Sequence, residues 1–279
     1  MIGNAGTQKK LHLCGEVIGI YAARRSQRTQ TALERHLPGI IQRARDIRSS
    51  NKCFQQRLLP EIISRWKGIK AEQDQKNKIC GHLFNPLASI PIGETTQSLL
   101  LGDLLDPRGS HGQGRLLLET FLKRIDVPDP KEGDWVISVE KEGRVDICLS
   151  RSSPPSVVLI ENKSNCAGDQ PNQLYRYWYW NIHKPNEPLD YTMENTKLAF
   201  QIIYLPPVAG THPADHSLQC PKYLAHLKLG ETLRDVGVTV RYLNFRDHIT
   251  AWLDDCEKHI SPTNARLRTF LQFYKERWA

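Results

Sequence analysis

Two short apolar segments joined by a turn constrain the fold of this chain more than any other feature. The segments are RVDICLS at 144–150 and VVLIENK at 157–163, and RSSPPS separates them. Val- and Ile-rich runs on either side of a Ser/Pro-rich turn predict an antiparallel β-hairpin. The second run ends in Glu161 and Lys163, where the core of a sheet is expected. The sequence therefore predicts a hairpin with charged groups at its end.

The register of this hairpin determines which charged side chains meet. A turn centred on the middle of RSSPPS pairs Asp146 with Glu161. Alternation along a strand puts Glu161 and Lys163 on one face and Asn162 on the other. Directly opposed residues share a face, so Asp146 joins Glu161 and Lys163. The pattern predicts two carboxylates and an ammonium on one side of the hairpin.

Paired carboxylates of this kind are suited to a metal ion. Like charges opposite each other destabilise a hairpin unless something compensates for them. A hard divalent cation such as Mg²⁺ or Mn²⁺ prefers oxygen ligands, so Asp146 and Glu161 are candidate metal ligands. Lys163 then becomes a candidate for orienting water or stabilising negative charge. The alternative is a structural ion pair between Lys163 and one of the carboxylates.

The segments around the hairpin indicate an α/β protein. Their order, helices followed by consecutive strands, a helix and more strands, predicts a mixed β-sheet flanked by helices. We expect further strands at 134–140, 199–205 and 238–245, and helices at 95–105, 114–125, 169–183, 246–259 and 263–277.

The N-terminal part of the chain is strongly basic. The net charge is +8, and residues 1–80 hold 16 Lys and Arg against 6 Asp and Glu. Residues 29–48 and 54–74 have helical spacing interrupted by Pro38 and Pro60, which predicts broken helices. We expect a basic helical extension at 1–93, with a linker at 82–93, before a domain at 94–279. The candidate nucleic-acid contacts are Arg24, Arg25, Arg28, Arg43, Arg45 and Arg48.

Alternatives to this nucleic-acid role remain open. The basic residues also suit a solvated helical face, or a segment that packs against the core or a second subunit. The longest apolar runs are too short to cross a membrane, and we expect no signal peptide. Seven scattered cysteines without a C-x-x-C pair favour a reducing compartment. We therefore expect a cytoplasmic protein.

A family resemblance extends this interpretation. Asp146, Glu161 and Lys163 form the pattern D-x(14)-E-x-K, which resembles the core signature of the PD-(D/E)XK nuclease superfamily. Specificity comes from the surrounding order: GETTQSLLLGDLL, GRVDI, IENKSNCAGDQPNQLYRY and VRYLNFRDHITAWL. The resemblance runs from about residue 94 to 279. Val145 precedes Asp146 in place of the proline that names the superfamily.

The resemblance implies a restriction-endonuclease-like core and a metal-dependent nuclease. Asp146 and Glu161 match its metal-binding carboxylates, and Lys163 matches its catalytic lysine. The implied cofactor is Mg²⁺ or Mn²⁺, and the implied partner is nucleic acid, with DNA favoured over RNA. A role in defence against phage, or in phage or mobile-element biology, rests on the resemblance alone. A homodimer or a regulatory protein partner is a further expectation.

Three further residues match less central elements of the family. Glu94 matches an acidic residue on the first core helix that extends the metal shell, but an acid in a first helical turn is also favoured by the helix dipole. Gln173 and Tyr177 match a Q-x-x-x-Y element. Four residues apart on a helix, they share a face that looks back at the hairpin. The alternative is a polar stripe on an exposed helix.

Weaker candidates complete the set. His111 is expected to order its loop rather than bind phosphate, and Glu140 is a candidate for a second metal. The aromatic cluster YRYWYW at 175–180 is expected to pack the helix onto the sheet, with base stacking as the alternative. Three function hypotheses remain: a metal-dependent nuclease, a non-catalytic nucleic-acid-binding protein on the same fold, and a carboxylate-pair hydrolase.

Overall fold

The computed structural model describes residues 58–80, 84–141, 145–187, 193–238 and 240–279. The chain divides into two compact units, one up to Phe84 and one from Asn85 onward. In the first unit, helix α1 spans Leu59–Cys80. Pro60 lies in the first turn of this helix, where the backbone N–H groups have no partner within the helix, so the missing N–H of proline costs no hydrogen bond. The interruption predicted at Pro60 is therefore the start of the helix. Outside the described residues lie the predicted helix at 29–48 and Arg24, Arg25, Arg28, Arg43, Arg45 and Arg48.

The second unit is built on a five-stranded mixed sheet. Its strands are β1 (Val136–Lys141), β2 (Val145–Ser152), β3 (Pro155–Asn162), β4 (Phe200–Leu205) and β5 (Val240–Tyr242). They lie side by side in that order, with β1, β2 and β3 antiparallel and β3, β4 and β5 parallel. The strand expected at 238–245 is shorter because Asn244 accepts a hydrogen bond from the Asp247 N–H and starts the next helical turn.

The central hairpin of β2 and β3 has the predicted register. Ile147 lies opposite Ile160, so the pair that follows is Asp146 and Glu161. A slip of one residue would move every side chain of a strand to the other face. The register therefore fixes which groups face each helical layer.

Helices cover both faces of the sheet. They are α2 (Pro86–Ser89), α3 (Glu94–Leu105), α4 (Leu116–Arg124), α5 (Gln173–Trp178), α6 (Glu194–Ala199), α7 (Asp215–Leu218), α8 (Thr250–Glu257) and α9 (Ala265–Trp278). Helices α3, α4, α8 and α9 share an apolar core with the face that carries Ile160. Helix α5 packs on the opposite face, which carries Leu159. This is a restriction-endonuclease-like α/β fold, as predicted.

Two further segments differ from their predictions. Residues 85–93, expected as a linker, are folded onto α9, because the Asn85 side chain donates to Phe273 O and Arg277 donates to Leu87 O. The helix expected from 169 begins only at Gln173. Pro171 disfavours helical backbone in the residue before it, so a loop precedes α5.

Within the described residues, no helix has the length and apolar character needed to span a membrane.

Helix α3 lies close to β1 because Gly102 carries no side chain. The buried residues of α3 recur at helical spacing, and they are Gln97, Ser98, Leu101, Gly102, Leu104 and Leu105. A Cβ at position 102 would overlap Cγ2 of Val139 on β1. The close approach matters because α3 also binds the end of β3, as shown below.

We predict that Gly102→Ala destabilises the protein by up to about 2 kcal/mol, because overpacking a core typically costs about 1–3 kcal/mol. The gain in helix propensity from Gly to Ala, about 1 kcal/mol, opposes this cost only in part. Urea unfolding monitored by circular dichroism measures the change. Adding Val139→Ala should recover part of the loss. Gly93→Ala, where nothing lies within 4 Å of the added Cβ, is the control; an equally large loss there would contradict the packing explanation.

Candidate active site

The charged end of β3 is held inside the protein. Glu161 and Lys163 are only 2% and 4% exposed. The strand is central, paired with β2 on one side and β4 on the other, and both of its faces are covered. The Lys163 N–H continues the pairing by donating to Leu205 O at 2.9 Å. A buried strand thus carries two charged groups into the interior.

The carboxyl groups of Asp146 and Glu161 lie against each other. Burial raises the pKa of Asp146, although the N–H of Asn162 donates to its Oδ2 at 2.6 Å and acts in the opposite direction. Burial also raises the pKa of Glu161, and the neighbouring Asp146 charge raises it further. The pair therefore holds protons more tightly than exposed carboxyl groups do, because two close anions are costly in a buried site.

The two oxygens of Glu161 have different surroundings. Its Oε1 lies 2.6 Å from Lys163 Nζ and accepts a hydrogen bond from Gln173 Nε2 at 2.9 Å. Its Oε2 is buried and, when both Asp146 and Glu161 are ionised, accepts no hydrogen bond from any residue that the structure describes. A buried acceptor without a donor is costly. A hard divalent cation would fit these two carboxyl groups, because its positive charge would offset the close negative charges that raise their pKa values, and it would bind the oxygen that no hydrogen-bond donor reaches.

Lys163 lies between two acidic side chains. Its Nζ is 2.6 Å from Glu161 Oε1 and 3.3 Å from Asp169 Oδ1. Burial acts to lower the pKa of Lys163, but the attraction of Glu161 and then of Asp169 outweighs burial, and the pKa is raised. The side chain is therefore an ammonium at neutral pH.

Gln173 and Tyr177 face the hairpin from α5. Both are buried, and Gln173 Nε2 donates to Glu161 Oε1 and to the Tyr177 hydroxyl, each at 2.9 Å. The orientation of this amide is fixed because its Oε1 accepts from the Gln170 N–H at 3.0 Å. Burial and then the Glu161 charge raise the pKa of Tyr177, so its phenol stays neutral. The structure thus places both residues beside the carboxylate rather than on an exposed stripe.

On the other face, Asn162 ties the hairpin to α3. Its Nδ2 donates to Glu94 O and to Ser98 Oγ, both at 2.9 Å. Glu94 Oε1 accepts from the backbone N–H groups of Asn165 and Ala167, at 3.1 and 3.3 Å. The Glu94 charge also acts to raise the pKa of Asp146. Glu94 is therefore near the carboxyl pair and orders the loop after Lys163.

The weaker candidates have structural roles or exposed positions. His111 Nδ1 accepts from the Gln113 N–H, so Nε2 carries the proton that Asp106 O accepts, and the histidine orders its loop. Glu140 is exposed on β1. Most of the aromatic cluster packs in the core, as predicted: the buried members are Tyr175, Tyr177, Trp178 and Tyr179. Trp180 is the exception at 42% exposure.

The site contains contacts that the sequence pattern did not reveal. Asp169 contacts Lys163, and Tyr204 on β4 donates to Asp169 Oδ1 at 3.3 Å. Asp169 lies in the loop GDQPN that precedes α5, where no periodicity indicates a face. The sequence feature that could have indicated Asp169 is its position four residues before Gln173. Among the described residues, no group of three or more His, Cys, Asp or Glu side chains has metal-binding geometry.

The mixed sheet and this buried acid–lysine cluster define a restriction-endonuclease-like protein with its polar centre at the end of the central hairpin. The family model described as PD-(D/E)XK nuclease superfamily matches residues 84–276. The chain belongs to this superfamily. Comparison with curated proteins found no match, and comparison with solved structures found none either.

We predict that Asp146→Asn stabilises the metal-free protein at pH 8. The folded pKa of Asp146 is raised to about 6, so the wild-type protein loses stability as the pH rises from the ordinary carboxyl range through that value. Asparagine keeps an acceptor for the Asn162 N–H without this loss. The expected gain is about 1–3 kcal/mol at pH 8 and near zero at pH 4, since one pKa unit is about 1.4 kcal/mol.

Urea unfolding with a chelator at the two pH values measures this gain. Asp215→Asn, an exposed carboxylate, is the control and should show little change. Mn²⁺ should reverse the order, because an ion that binds the folded wild-type protein stabilises it. A variant that is less stable than wild type at pH 8 in chelator would refute the strained carboxyl pair.

Proposed function

We propose that this chain is a metal-dependent nuclease that hydrolyses phosphodiester bonds in nucleic acid, with DNA favoured as substrate. The observation that carries this proposal is the buried Asp146–Glu161 pair with the Lys163 ammonium 2.6 Å from Glu161. Membership of the superfamily supports the same reaction class. The wider proposal is a cytoplasmic enzyme that acts against phage nucleic acid, as a homodimer or with a regulatory protein.

Asp146 and Glu161 are the proposed ligands for Mg²⁺ or Mn²⁺, with Glu94 as a third acidic group. Hard cations of this kind prefer carboxylate oxygens, and the buried Glu161 Oε2 lacks a donor among the described residues. When bound, the cation supplies Lewis-acid polarisation of a phosphoryl oxygen and lowers the pKa of a bound water. The raised carboxyl pKa values imply that protons compete with the metal.

The remaining residues orient the reacting groups. Lys163 is proposed to orient the attacking water and to stabilise negative charge that develops on the phosphate. Gln173 holds the Glu161 carboxylate through its fixed amide, and Tyr177 accepts a hydrogen bond from the same amide. Such outer contacts hold a metal-binding carboxylate in a single orientation.

We predict that Lys163→Met lowers cleavage by about 10²–10³-fold, the loss typical when one group that stabilises transition-state charge is removed. Binding of nucleic acid should stay nearly unchanged, because one buried side chain makes few contacts with the remote backbone. Cleavage of supercoiled, linear and single-stranded DNA and of RNA is measured with Mg²⁺ or Mn²⁺. The control is Lys123→Met, an exposed lysine of α4.

Retained turnover in Lys163→Met would contradict the role of the lysine. Wild-type protein that binds nucleic acid but never cleaves it, with or without metal, would instead support the non-catalytic binding protein on the same fold. Circular dichroism of each variant separates a loss of activity from a loss of folding.

The basic N-terminal segment is proposed to supply sequence-independent affinity. We predict that replacing Arg43, Arg45 and Arg48 by Gln flattens the log–log dependence of DNA affinity on salt by up to about three units, since each phosphate contact contributes about −0.9. Cleavage at low salt should persist, because the hairpin is untouched. Fluorescence anisotropy across a salt series measures the slope.

A matched triple variant tests whether the effect belongs to this segment. Lys123, Lys222 and Arg234 are exposed cations of the second unit, and their replacement by Gln removes the same charge. The slope should then change less than in the arginine variant. Equal slopes for the wild-type protein and the arginine variant would favour a segment that packs against protein instead.

A further inference from the structure

Asp169 lies in the buried cluster without an assigned part in the chemistry. Its side chain is 5% exposed, and its Oδ1 is 3.3 Å from Lys163 Nζ. Glu161 is the nearer partner of the same ammonium, at 2.6 Å. One cation is therefore shared between a proposed metal ligand and a second carboxylate.

The surroundings of Asp169 hold it in place. Its Oδ2 accepts from the Ala214 N–H at 2.7 Å, and its backbone oxygen lies 3.1 Å from His216 Nε2. Tyr204 donates to its carboxylate from β4, where Tyr204 is the register partner of Glu161. Asp169 is thus fixed to the sheet that carries the proposed metal ligand.

Sharing the ammonium creates a conflict at Glu161. A divalent cation on the Glu161 carboxylate would repel Lys163 and compete with it for the same negative charge, and in a buried site such interactions are strong. Gln173 already occupies Oε1 together with Lys163. The ammonium needs a second anion if it is to remain in the site while Glu161 binds metal.

We propose that Asp169 is this second anion, a positioning residue that retains Lys163 beside the reacting groups and releases Glu161 for the metal. The inference rests on the proposed nuclease function and deepens it. Asp169 does not touch the metal or the substrate in this scheme. It acts through Lys163.

Asp169→Asn separates the charge of the side chain from its structural contacts. Asparagine keeps one oxygen, which in the position of Oδ2 still accepts from the Ala214 N–H and lies 3.5 Å from the Tyr204 hydroxyl, while its NH2 group replaces the oxygen that faces Lys163. A purely structural role therefore predicts little change. Loss of the charge leaves Lys163 with Glu161 as its remaining anionic partner among the residues it contacts. We expect kcat to fall by about 10–100-fold, the range for residues that orient a metal site from outside, and KM to change by less than about threefold.

Metal affinity provides a readout that does not depend on turnover. Calorimetric titration with Mn²⁺ should show weaker binding for Asp169→Asn than for the wild-type protein, because Lys163 then competes more strongly for Glu161. In a Lys163→Met background the same substitution should have a much smaller effect, since the competing ammonium is gone. Asp215→Asn, an exposed carboxylate of α7, is the charge-matched control and should leave both quantities unchanged.

The outcomes distinguish this inference from the function it rests on. Wild-type cleavage together with unchanged kcat and Mn²⁺ affinity in Asp169→Asn overturns the role of Asp169 and leaves the nuclease assignment intact. An equal loss of Mn²⁺ affinity in the wild-type and Lys163→Met backgrounds also overturns it, because Asp169 would then act independently of the lysine. A wild-type protein that neither binds Mn²⁺ nor cleaves nucleic acid overturns both.

Discussion

The contact between two buried carboxyl groups, Asp146 and Glu161, is the interaction on which this structure depends. Anions so close together in the interior are unfavourable, and their pKa values are raised as a result. The neighbouring groups stabilise the pair through hydrogen bonds and an ion pair. Asn162 donates its backbone N–H to one carboxylate, while Lys163 and Gln173 engage the other. The fold holds in place a pair that would otherwise separate.

The contacts that hold the end of β3 come from the helical layers on both faces of the sheet. Gln173 reaches Glu161 from α5, on one face of the sheet, while the Asn162 side chain binds Glu94 O and Ser98 on α3, on the other face. Neighbouring residues of β3 alternate between the layers, so each layer fixes one of them. Rotating or sliding the end of β3 would break contacts on both sides. Buried ionisable groups with strongly shifted pKa values cluster at functional sites in proteins.

Much of the sheet and the pairing of the acids could be predicted because they follow from short-range rules. The turn sets the register, alternation sets the faces, and spacing of four residues puts Gln173 and Tyr177 together. Asp169 could not be placed in this way. It lies in a loop without periodicity, and its partners Tyr204 and Ala214 are 35 and 45 residues away along the chain.

The misread segments share a similar cause. Residues 85–93 contain the prolines and glycine of a linker, yet Asn85 caps α2 and donates to Phe273, which is distant in sequence. The proline and glycine content of this segment is typical of a linker, but it does not indicate a hydrogen bond to a residue far away in the sequence. The shortened β5 has a local cause, since a cap at Asn244 starts a helical turn inside a run with strand propensity.

The buried cluster carries more negative than positive charge. Asp146, Glu161 and Asp169 carry three formal negative charges when ionised, and Lys163 carries one positive charge. Glu94, whose charge also acts on Asp146, adds a fourth negative charge, so one Mg²⁺ or Mn²⁺ ion would offset most but not all of the excess negative charge. Without such an ion, the raised pKa values of the two acids, about 6 for Asp146 and about 8 for Glu161, mean that the carboxyl pair keeps one proton at neutral pH and so reduces its charge. Proton binding and the proposed metal binding are therefore alternative ways to reduce the negative charge of one buried site, and the Lys163 ammonium offsets one further charge in either state.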